Sequence, residues 1–360
     1  MSFDRTLPYN DLPLLPPQGV DLESKAILKQ IVSTSRALAE LKGAGDLIPN
    51  QSVLLTTLGL QEAKYSSEIE NIVTTNDELY RAFADEGRFQ DPATKEVLHY
   101  NQALWVGFEA VRAQLPLTTN LFEQLARTIK PSVSGVRKLP GTVIANSRRE
   151  VIYTPPEGES VIRDKLANLE QFLYAQDDLD PLVKMTIMHY QFEAIHPFTD
   201  GNGRTGRILN ILYLIESSLL DIPVLYLSRY IIENKNDYYL GLRRVTEEGA
   251  WEDWILYMLR AVEQTALATH SKVTAIRGVM HEVGEKVKAE LPSIYRKELI
   301  ELLFRQPYCK ISFVTEAGMS TRQTASNYLK QLERIGVLRG FKRGTEWYYI
   351  NIPFFELLTS

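Results

Sequence analysis

Twelve consecutive residues, His196 to Arg207, constrain this chain more than any other segment. They read HPFTDGNGRTGR and supply an imidazole, a carboxylate, a carboxamide, three glycines and two arginines. An apolar run over 208–215 follows directly, which predicts that the glycines lie at the N-terminus of a helix. Unpaired N–H groups and the positive end of the helix dipole favour an anion there, and glycines let it approach the backbone. The segment therefore predicts a phosphate-binding loop beside a base and a metal ligand.

The overall composition is that of an ordinary globular protein. The chain has 360 residues, 44% hydrophobic and 24% charged, enough for two or three domains with buried cores. A net charge of −5 gives no general indication of a nucleic-acid or membrane partner. Cys309 is the single cysteine, so an intrachain disulfide is excluded and a reducing, cytoplasmic location is expected. Because Glu216 and Asp221 interrupt the most apolar window, 208–227, no membrane span is predicted.

Helical periodicity dominates the chain, so we predict a mainly α fold. Residues 1–20 are rich in proline and are expected to lie on the body of the protein as an extended arm. Residues 21–108 follow a period near 3.6, and one helix is predicted to open at Thr75, with Glu78 three residues later as in a capping box. This pattern predicts an N-terminal helical region.

A β-hairpin interrupts the helical pattern. Residues 139–145 and 150–154 are predicted to form short strands around a turn at 146–149. A lone hairpin is marginally stable in water, so we expect it to pack on the protein or to cover a ligand.

The C-terminal residues change in character. Helices are predicted near 294–304 and 312–317, and Ser320 and Thr321 cap a longer helix, followed by two short strands around a basic turn at 342–344. This order predicts a winged helix-turn-helix. The predicted domains are an N-terminal region (1–109), a catalytic domain (110–265), a connecting helix (266–290) and the winged helix (291–360).

Three side chains upstream of the glycines offer a different interpretation of the site. His189, Glu193 and His196 have helical spacings that a metal site can use. Pro197 follows His196 directly, however, and the glycine loop favours an anion. We therefore predict that His189 is a packed or solvent-bonded side chain and not a metal ligand.

Segment 196–207 resembles the signature of the Fic family, His-Pro-Phe-x-Asp/Glu-Gly-Asn-Gly-Arg-x-x-Arg, at every fixed position. The resemblance implies a helical bundle that transfers AMP from ATP to a hydroxyl side chain (Ser, Thr or Tyr) of a protein, itself included, and releases pyrophosphate. His196 would be the general base and Asp200 the Mg²⁺ ligand, and Phe198 is expected to pack in the core. The residues implied to bind ATP here, besides His196, are Gly201, Asn202, Gly203, Arg204, Thr205, Gly206 and Arg207.

A second segment is similar to the inhibitory pattern of this family, Ser/Thr-x-x-x-Glu-Gly/Asn. Ser66, Glu70 and Asn71 match it at the end of a predicted helix. The resemblance implies that Glu70 pairs with Arg207 at the position of the ATP γ-phosphate and so turns the α-phosphate away from attack; the alternative is a plain helix C-terminus. The proline-rich arm and the C-terminal winged helix also resemble one subgroup, in which the inhibitory helix precedes the catalytic domain.

Two further segments are similar to family features near the nucleoside and the target. The hairpin at 139–154 is similar to a flap that aligns a target peptide by strand addition, with a purely structural hairpin as the alternative. Val143 and Ile144 are candidates for contact with adenine. Tyr238 matches a Tyr-Tyr segment beside the nucleoside, where it would stack or hydrogen-bond; packing in the core is the alternative.

The winged helix carries a local positive charge. Residues 320–346 hold six basic and two acidic side chains, a net of +4. This charge suits DNA phosphates, and docking of a protein is an equal alternative. The residues expected to reach base edges are Arg322, Gln323, Thr324 and Asn327.

Other functions stay open at this point. Removal of AMP with Glu70 positioning water, transfer of another phosphate-containing group, and a nucleotide-sensing DNA-binding regulator are the alternatives to AMP transfer. A homodimer that gates Glu70 is compatible with the sequence.

Overall fold

The computed structural model describes residues 3–45, 52–85, 91–146 and 148–359. Ser147, in the predicted hairpin turn, lies outside the described residues. The fold is mainly helical, as predicted. Among the described residues, eleven helices precede the C-terminal domain: α1 (Lys25–Gly45), α2 (Ser52–Ile69), α3 (Asn76–Ala84), α4 (Pro92–Arg112), α5 (Thr119–Ile129), α6 (Glu159–Leu173), α7 (Pro181–Ile195), α8 (Asn202–Glu216), α9 (Leu227–Glu233), α10 (Lys235–Glu248) and α11 (Trp251–Glu290).

Helices α7 and α8 form the centre of the bundle. Nearly every residue of α7 is buried, including the polar Lys184, His189 and Gln191, as in a helix at the centre of a core. It packs against α6, α8 and α11, and Phe192 contacts both Phe122 and Phe198 through ring edges and faces. The loop between α7 and α8 brings the glycines of the sequence pattern to one end of this core.

The N-terminal arm lies on the bundle, as predicted. Leu12 and Leu15 are buried, and Lys165 Nζ donates to the Leu12 carbonyl at 2.7 Å. Farther along, Thr75 caps α3 with the predicted capping box, since its side chain accepts from the Glu78 N–H and Glu78 accepts from the Thr75 N–H. The arm therefore extends the hydrophobic core beyond the helices.

The predicted hairpin is present but shorter than its sequence pattern. Strand β1 (Ile144–Ala145) pairs antiparallel with β2 (Val151–Tyr153). Pro140 lacks a donor and Gly141 has φ +93°, so residues before Ile144 do not extend the ladder. Tyr153 Oη donates to the Ala194 carbonyl at 2.8 Å and anchors the base of the hairpin to α7.

The C-terminal domain follows the order predicted for a winged helix. It comprises α12 (Lys297–Phe304), β3 (Tyr308–Lys310), α13 (Ile311–Glu316), α14 (Arg322–Arg334), β4 (Leu338–Arg343), β5 (Glu346–Asn351) and α15 (Ile352–Thr359). Its sheet has the order β3-β5-β4. The short β3 was not predicted because three residues are too few to show alternation. Helix α11 runs unbroken across the predicted domain boundary at 265/266.

The C-terminal domain is docked on the N-terminal region. Tyr348 Oη donates to Asp85 Oδ1 at 2.6 Å, Lys310 pairs with the same carboxylate, and Tyr308 donates to Asp77. These contacts join the sheet to α3, the helix that follows the segment around Glu70. None of the described helices combines the length and the apolarity that a membrane crossing needs.

Candidate active site

Two residues with positive φ frame the loop between α7 and α8. His196 ends α7 at φ +49°, and Gly201 precedes α8 at φ +75°. The first N–H groups of α8, those of Asn202, Gly203 and Arg204, have no carbonyl partner within the helix. The structure thus places the glycines at a helix N-terminus, where a bound anion is stabilised.

Asn202 fixes the shape of this loop. Its Oδ1 accepts from the Phe198 N–H and its Nδ2 donates to the Phe198 carbonyl, both at 2.8 Å. Phe198 is fully buried, as predicted. The oxygen and the nitrogen of the Asn202 amide thus both form hydrogen bonds within the loop. Contact between Asn202 and a phosphate stays a prediction.

Arg137 supports the same loop from outside the sequence pattern. Its Nε donates to the His196 carbonyl at 2.8 Å, and its backbone N–H donates to the Pro197 carbonyl at 2.9 Å. Sequence reasoning missed Arg137, because it lies far upstream and its role depends on the path of the loop.

His196 is held as a neutral imidazole. The residue is partly exposed, yet the surrounding protein lowers the pKa of its ring to about 4, first by burial and then through the charge of Arg137. Its Nδ1 is buried without a hydrogen bond of normal geometry, although the nearby Glu193 carbonyl favours the protonated ring. A neutral imidazole at pH 7 is able to accept a proton from a substrate.

The carboxylate of Glu70 covers the first turn of α8. Its Oε1 lies 2.8 Å from Arg207 NH2, and its Oε2 lies 2.8 Å from Arg204 Nε in an ion pair without hydrogen-bond alignment. A Cβ built on Gly203 would lie 2.8 Å from Glu70 Oε1. Glu70 therefore occupies the place where the helix N-terminus would bind an anion.

Ser66 strengthens the attachment of this segment to α8. Its Oγ accepts from Arg207 Nε at 2.8 Å, and its carbonyl accepts from Arg207 NH2 at 2.9 Å. Burial by itself would lower the pKa of Arg207, but the Glu70 charge raises it above the ordinary value. Asn71 then turns the chain with φ +63°, a conformation that asparagine tolerates better than most residues. The structure brings Ser66, Glu70 and Arg207 together, as the resemblance implies.

Arg204 has acidic partners that the sequence did not indicate. Its NH1 lies 2.9 Å from Glu96 Oε2, and Lys130 Nζ lies 2.6 Å from Glu96 Oε1. Burial would raise the pKa of Glu96, but hydrogen bonds from Lys130 and Arg204 lower it below its usual value. Glu96 lies in α4 and Lys130 directly follows α5, and no local pattern marks either of them.

Asp200 lies at the edge of the loop with its side chain half-exposed. Its Oδ1 accepts from the Gly201 N–H at 2.6 Å and lies 3.2 Å from Arg204 NH2. Among the described residues, no group of three or more acidic, histidine or cysteine side chains is placed to hold a metal. A single carboxylate beside a phosphate site nevertheless suits Mg²⁺, which is often held by one carboxylate, substrate phosphates and water.

A cavity of about 300 Å³ adjoins the loop between the hairpin, α7 and α10. Its walls are mostly apolar, and they include Ile144, Tyr153, Tyr190, Glu193, Tyr239 and Leu240. Val143 is half-exposed outside this lining. A larger groove of about 770 Å³ lies between α4 and the C-terminal domain, away from the loop.

Tyr238 points into the core, whereas Tyr239 faces the cavity. Tyr238 is 2% exposed, and its Oη lies 2.9 Å from His189 Nε2. Asn210 Nδ2 lies 3.1 Å from His189 Nδ1, and the ring stacks on Trp254, so His189 is packed as predicted. Contact between Tyr238 and a nucleoside stays a prediction. Thr205 and Gly206 are buried in the first turns of α8.

The exposed face of α14 carries three of the four side chains predicted to reach DNA. Arg322, Gln323 and Asn327 are exposed, and Thr324 is half-buried. Binding of DNA or of a protein by this face stays a prediction.

The fold and the loop define a helical protein with an anion-binding turn, a neutral histidine and an acidic side chain over the turn. Two family models match the chain: the Fic/DOC family N-terminal domain over residues 28–109, and the C-terminal domain of SoFic-like protein adenylyltransferases over residues 279–354. These matches support the assignment of the chain to the Fic family.

Curated relatives and solved structures agree with this assignment. A probable protein adenylyltransferase from Aquifex aeolicus is 28% identical over 58% of each chain, and the protein adenylyltransferase fic-1 of Caenorhabditis briggsae is 30% identical over 41% of this chain and 26% of its own. The match thus spans little more than half of the first relative and about a quarter of the second.

A Fic family protein from Desulfovibrio desulfuricans has the same fold, with a TM-score of 0.57, 20% identity and coverage of 93% of this chain and 98% of its own. Fic-1 from C. elegans gives a TM-score of 0.53 at 20% identity, over 72% and 74% of the two chains.

Proposed function

We propose that this protein transfers AMP from ATP to a hydroxyl side chain of a protein and that Glu70 inhibits the transfer. The observation that carries the proposal is the position of the Glu70 carboxylate, which lies over the first turn of α8 between Arg204 and Arg207. A buried pair of arginines at a helix N-terminus is suited to phosphates, and here an internal acid takes that place.

His196 is the proposed general base. Its neutral ring takes the proton from the target hydroxyl, whose oxygen attacks the α-phosphorus of ATP. A new oxygen–phosphorus bond forms as the bond to the β-phosphate oxygen breaks, and pyrophosphate leaves. The N–H groups at the start of α8 and the Arg204 guanidinium stabilise the charge on the phosphates.

Asp200 is the proposed ligand for Mg²⁺. Its half-exposed carboxylate adjoins the anion-binding turn, which is the chemistry that this hard cation prefers. When bound, the ion would neutralise phosphate charge. Arg204 holds the Asp200 carboxylate toward the turn and so orients it for this role.

The cavity beside the hairpin is the proposed site for the nucleoside. Its apolar walls, with Ile144 on the hairpin and Tyr239 on α10, suit a purine base. The hairpin would add an extended target segment as a further strand and bring its hydroxyl toward His196. Tyr153 holds the hairpin against α7, which fixes the distance from that strand to the loop.

Inhibition follows from competition for the two arginines. While Glu70 pairs with Arg207, the γ-phosphate of ATP meets an occupied and negatively charged position. Coupling of this kind is typically worth about 1–3 kcal/mol, a factor of about 5–150. Loss of the Glu70 side chain is therefore expected to raise the rate of transfer by a factor in that range.

A transfer assay with α-labelled ATP and Mg²⁺ tests the proposal. It compares wild type, Glu70→Gly and Glu70→Gly/His196→Ala, with intact mass as the measure of self-modification. Glu68→Gly is the matched control, because it makes the same change two residues earlier, near the end of α2 and outside the arginine cluster. We expect strong labelling with Glu70→Gly alone. Equal labelling of wild type and Glu70→Gly would overturn the inhibitory role, and labelling that survives His196→Ala would overturn the base.

A further inference from the structure

Glu193 is a carboxyl group with no role in the steps above. It lies in α7, one turn before His196, and it lines the cavity beside the hairpin. A Cβ built on Gly206 would lie 2.5 Å from Glu193 Oε1 and 3.5 Å from its Cδ. The carboxyl group therefore rests on the backbone of α8, at a point where glycine leaves room for it.

Among the residues that the structure describes, the carboxyl group of Glu193 has no partner. Its Oε1 is buried without a hydrogen bond, and no ion pair or side-chain hydrogen bond joins Glu193 to any other residue that the structure describes. Burial raises the pKa of Glu193 to about 7, with the Arg207 charge acting in the opposite direction. Buried polar groups in proteins are almost always hydrogen-bonded, so an unpaired acid in a cavity indicates a missing donor.

Glu193 lies where the phosphate end of the site meets the apolar end. The charges of Arg207 and Glu70 act on it from the side of α8. The opposite walls of the cavity are apolar, with Ile144, Ile152 and Leu240 among them. A nucleotide that places its phosphates on the first turn of α8 and its base among these apolar side chains has its sugar beside Glu193.

We propose that the Glu193 carboxyl group accepts hydrogen bonds from the ribose hydroxyls of the nucleotide and thereby selects ribonucleotides over deoxyribonucleotides. The vicinal hydroxyls of ribose are donors, and acidic side chains bind them in other nucleotide sites. The inference rests on the proposed function, since it requires a nucleotide in this cavity. It assigns to Gly206 the role of making space for the carboxyl group.

Binding of ATP, 2′-deoxy-ATP and 3′-deoxy-ATP to the full chain provides the test. Glu70→Gly serves as the parent, so that inhibition does not mask binding, and Glu193→Gln and Glu193→Ala are made in it. Glu298→Gln, on the distant α12, is the control substitution. Circular dichroism and thermal unfolding establish that each variant folds.

We expect the parent to bind ATP about 10-fold or more tighter than at least one deoxy analogue, the factor for a hydrogen bond to a charged group. In Glu193→Ala, the ratio of the affinities for ATP and for the deoxy analogue should fall close to 1. The binding of ATP should weaken, whereas the affinity for the deoxy analogue should stay unchanged. Glu193→Gln, which keeps one acceptor, should give an intermediate ratio. A purely structural role would weaken all three nucleotides equally.

Two results would overturn the inference. One is a ribose preference that survives in Glu193→Ala, and the other is a parent with no ribose preference. If Glu193 instead contacts the base, its variants would lose the preference for ATP over purine riboside triphosphate and keep the ribose preference. Failure of the proposed function looks different, because the parent would then bind none of the nucleotides or would label no protein.

Discussion

Oε1 of Glu70 and NH2 of Arg207 lie 2.8 Å apart, although 137 positions separate the two residues in the chain. The contact joins the end of α2 to the second turn of α8. Arg207 is buried and Glu70 is only partly exposed, so the pair is screened less than a surface salt bridge. The segment proposed to inhibit and the proposed anion site are thereby linked by this pair and by the ion pair between Glu70 and Arg204.

Ser66 and Ser67 provide a matched test of how α2 holds Arg207. Ser66→Ala removes the acceptor for Arg207 Nε, whereas Ser67 Oγ is buried without a partner. We expect Ser66→Ala to raise transfer activity about 2- to 10-fold, the equivalent of a hydrogen bond of ~1 kcal/mol. Ser67→Ala should leave the rate unchanged. Equal rates for the two variants in the labelling assay would contradict this prediction.

Asn71 is expected to matter through its backbone conformation. With φ +63°, it tolerates glycine, but a β-branched residue would be strained by about 1–2 kcal/mol. Asn71→Val should therefore lower the free energy of unfolding by about that amount, and Asn71→Gly should not. Urea denaturation followed by circular dichroism measures the difference. A Val variant as stable as the Gly variant would exclude the strain.

His189 should make the protein less stable in acid. Burial lowers its pKa from 6.5 to about 3, so the unfolded chain binds this proton before the folded chain does as the pH falls. The contribution of the neutral His189 ring to the free energy of unfolding is complete above pH about 6.5. It is lost progressively as the pH falls toward about 3. His189→Gln keeps polar contacts without titrating, so its stability should depend less steeply on pH. If the urea midpoints of wild type and His189→Gln changed in parallel with pH, this prediction would be contradicted.

The rate of transfer should show no titration near pH 6.5. Burial and Arg137 lower the pKa of His196 to about 4, so the base stays neutral well below the pH at which an exposed histidine is protonated. We expect kcat/KM of Glu70→Gly, corrected for the ionisation of ATP, to be flat from about pH 8 to about pH 5. A tenfold loss by pH about 5.5 would mean that the base has an ordinary pKa.

Local patterns in the sequence were sufficient for several elements. Thr75 with Glu78 predicted the cap of α3, the apolar run after Arg207 predicted α8, and the C-terminal patterns predicted the helices α12 to α14 and two strands after them. These features depend on residues within one or two helical turns or on neighbouring strands. Spacing and periodicity in the sequence reflect such interactions directly, so these elements can be predicted without knowledge of the tertiary structure.

The tertiary structure alone decided which side chains meet the loop. Arg137 reached the His196 carbonyl, Glu96 reached Arg204, and the Glu193 carboxyl group came to rest on Gly206. It also turned Tyr239, rather than Tyr238, toward the cavity. Except for the two tyrosines, these partners lie many positions apart in the chain, and their contacts are fixed by how the helices and loops pack. A single sequence carries no periodic signal for such pairs, because any polar side chain on a helix face shows the same local pattern whether it meets solvent or a buried arginine.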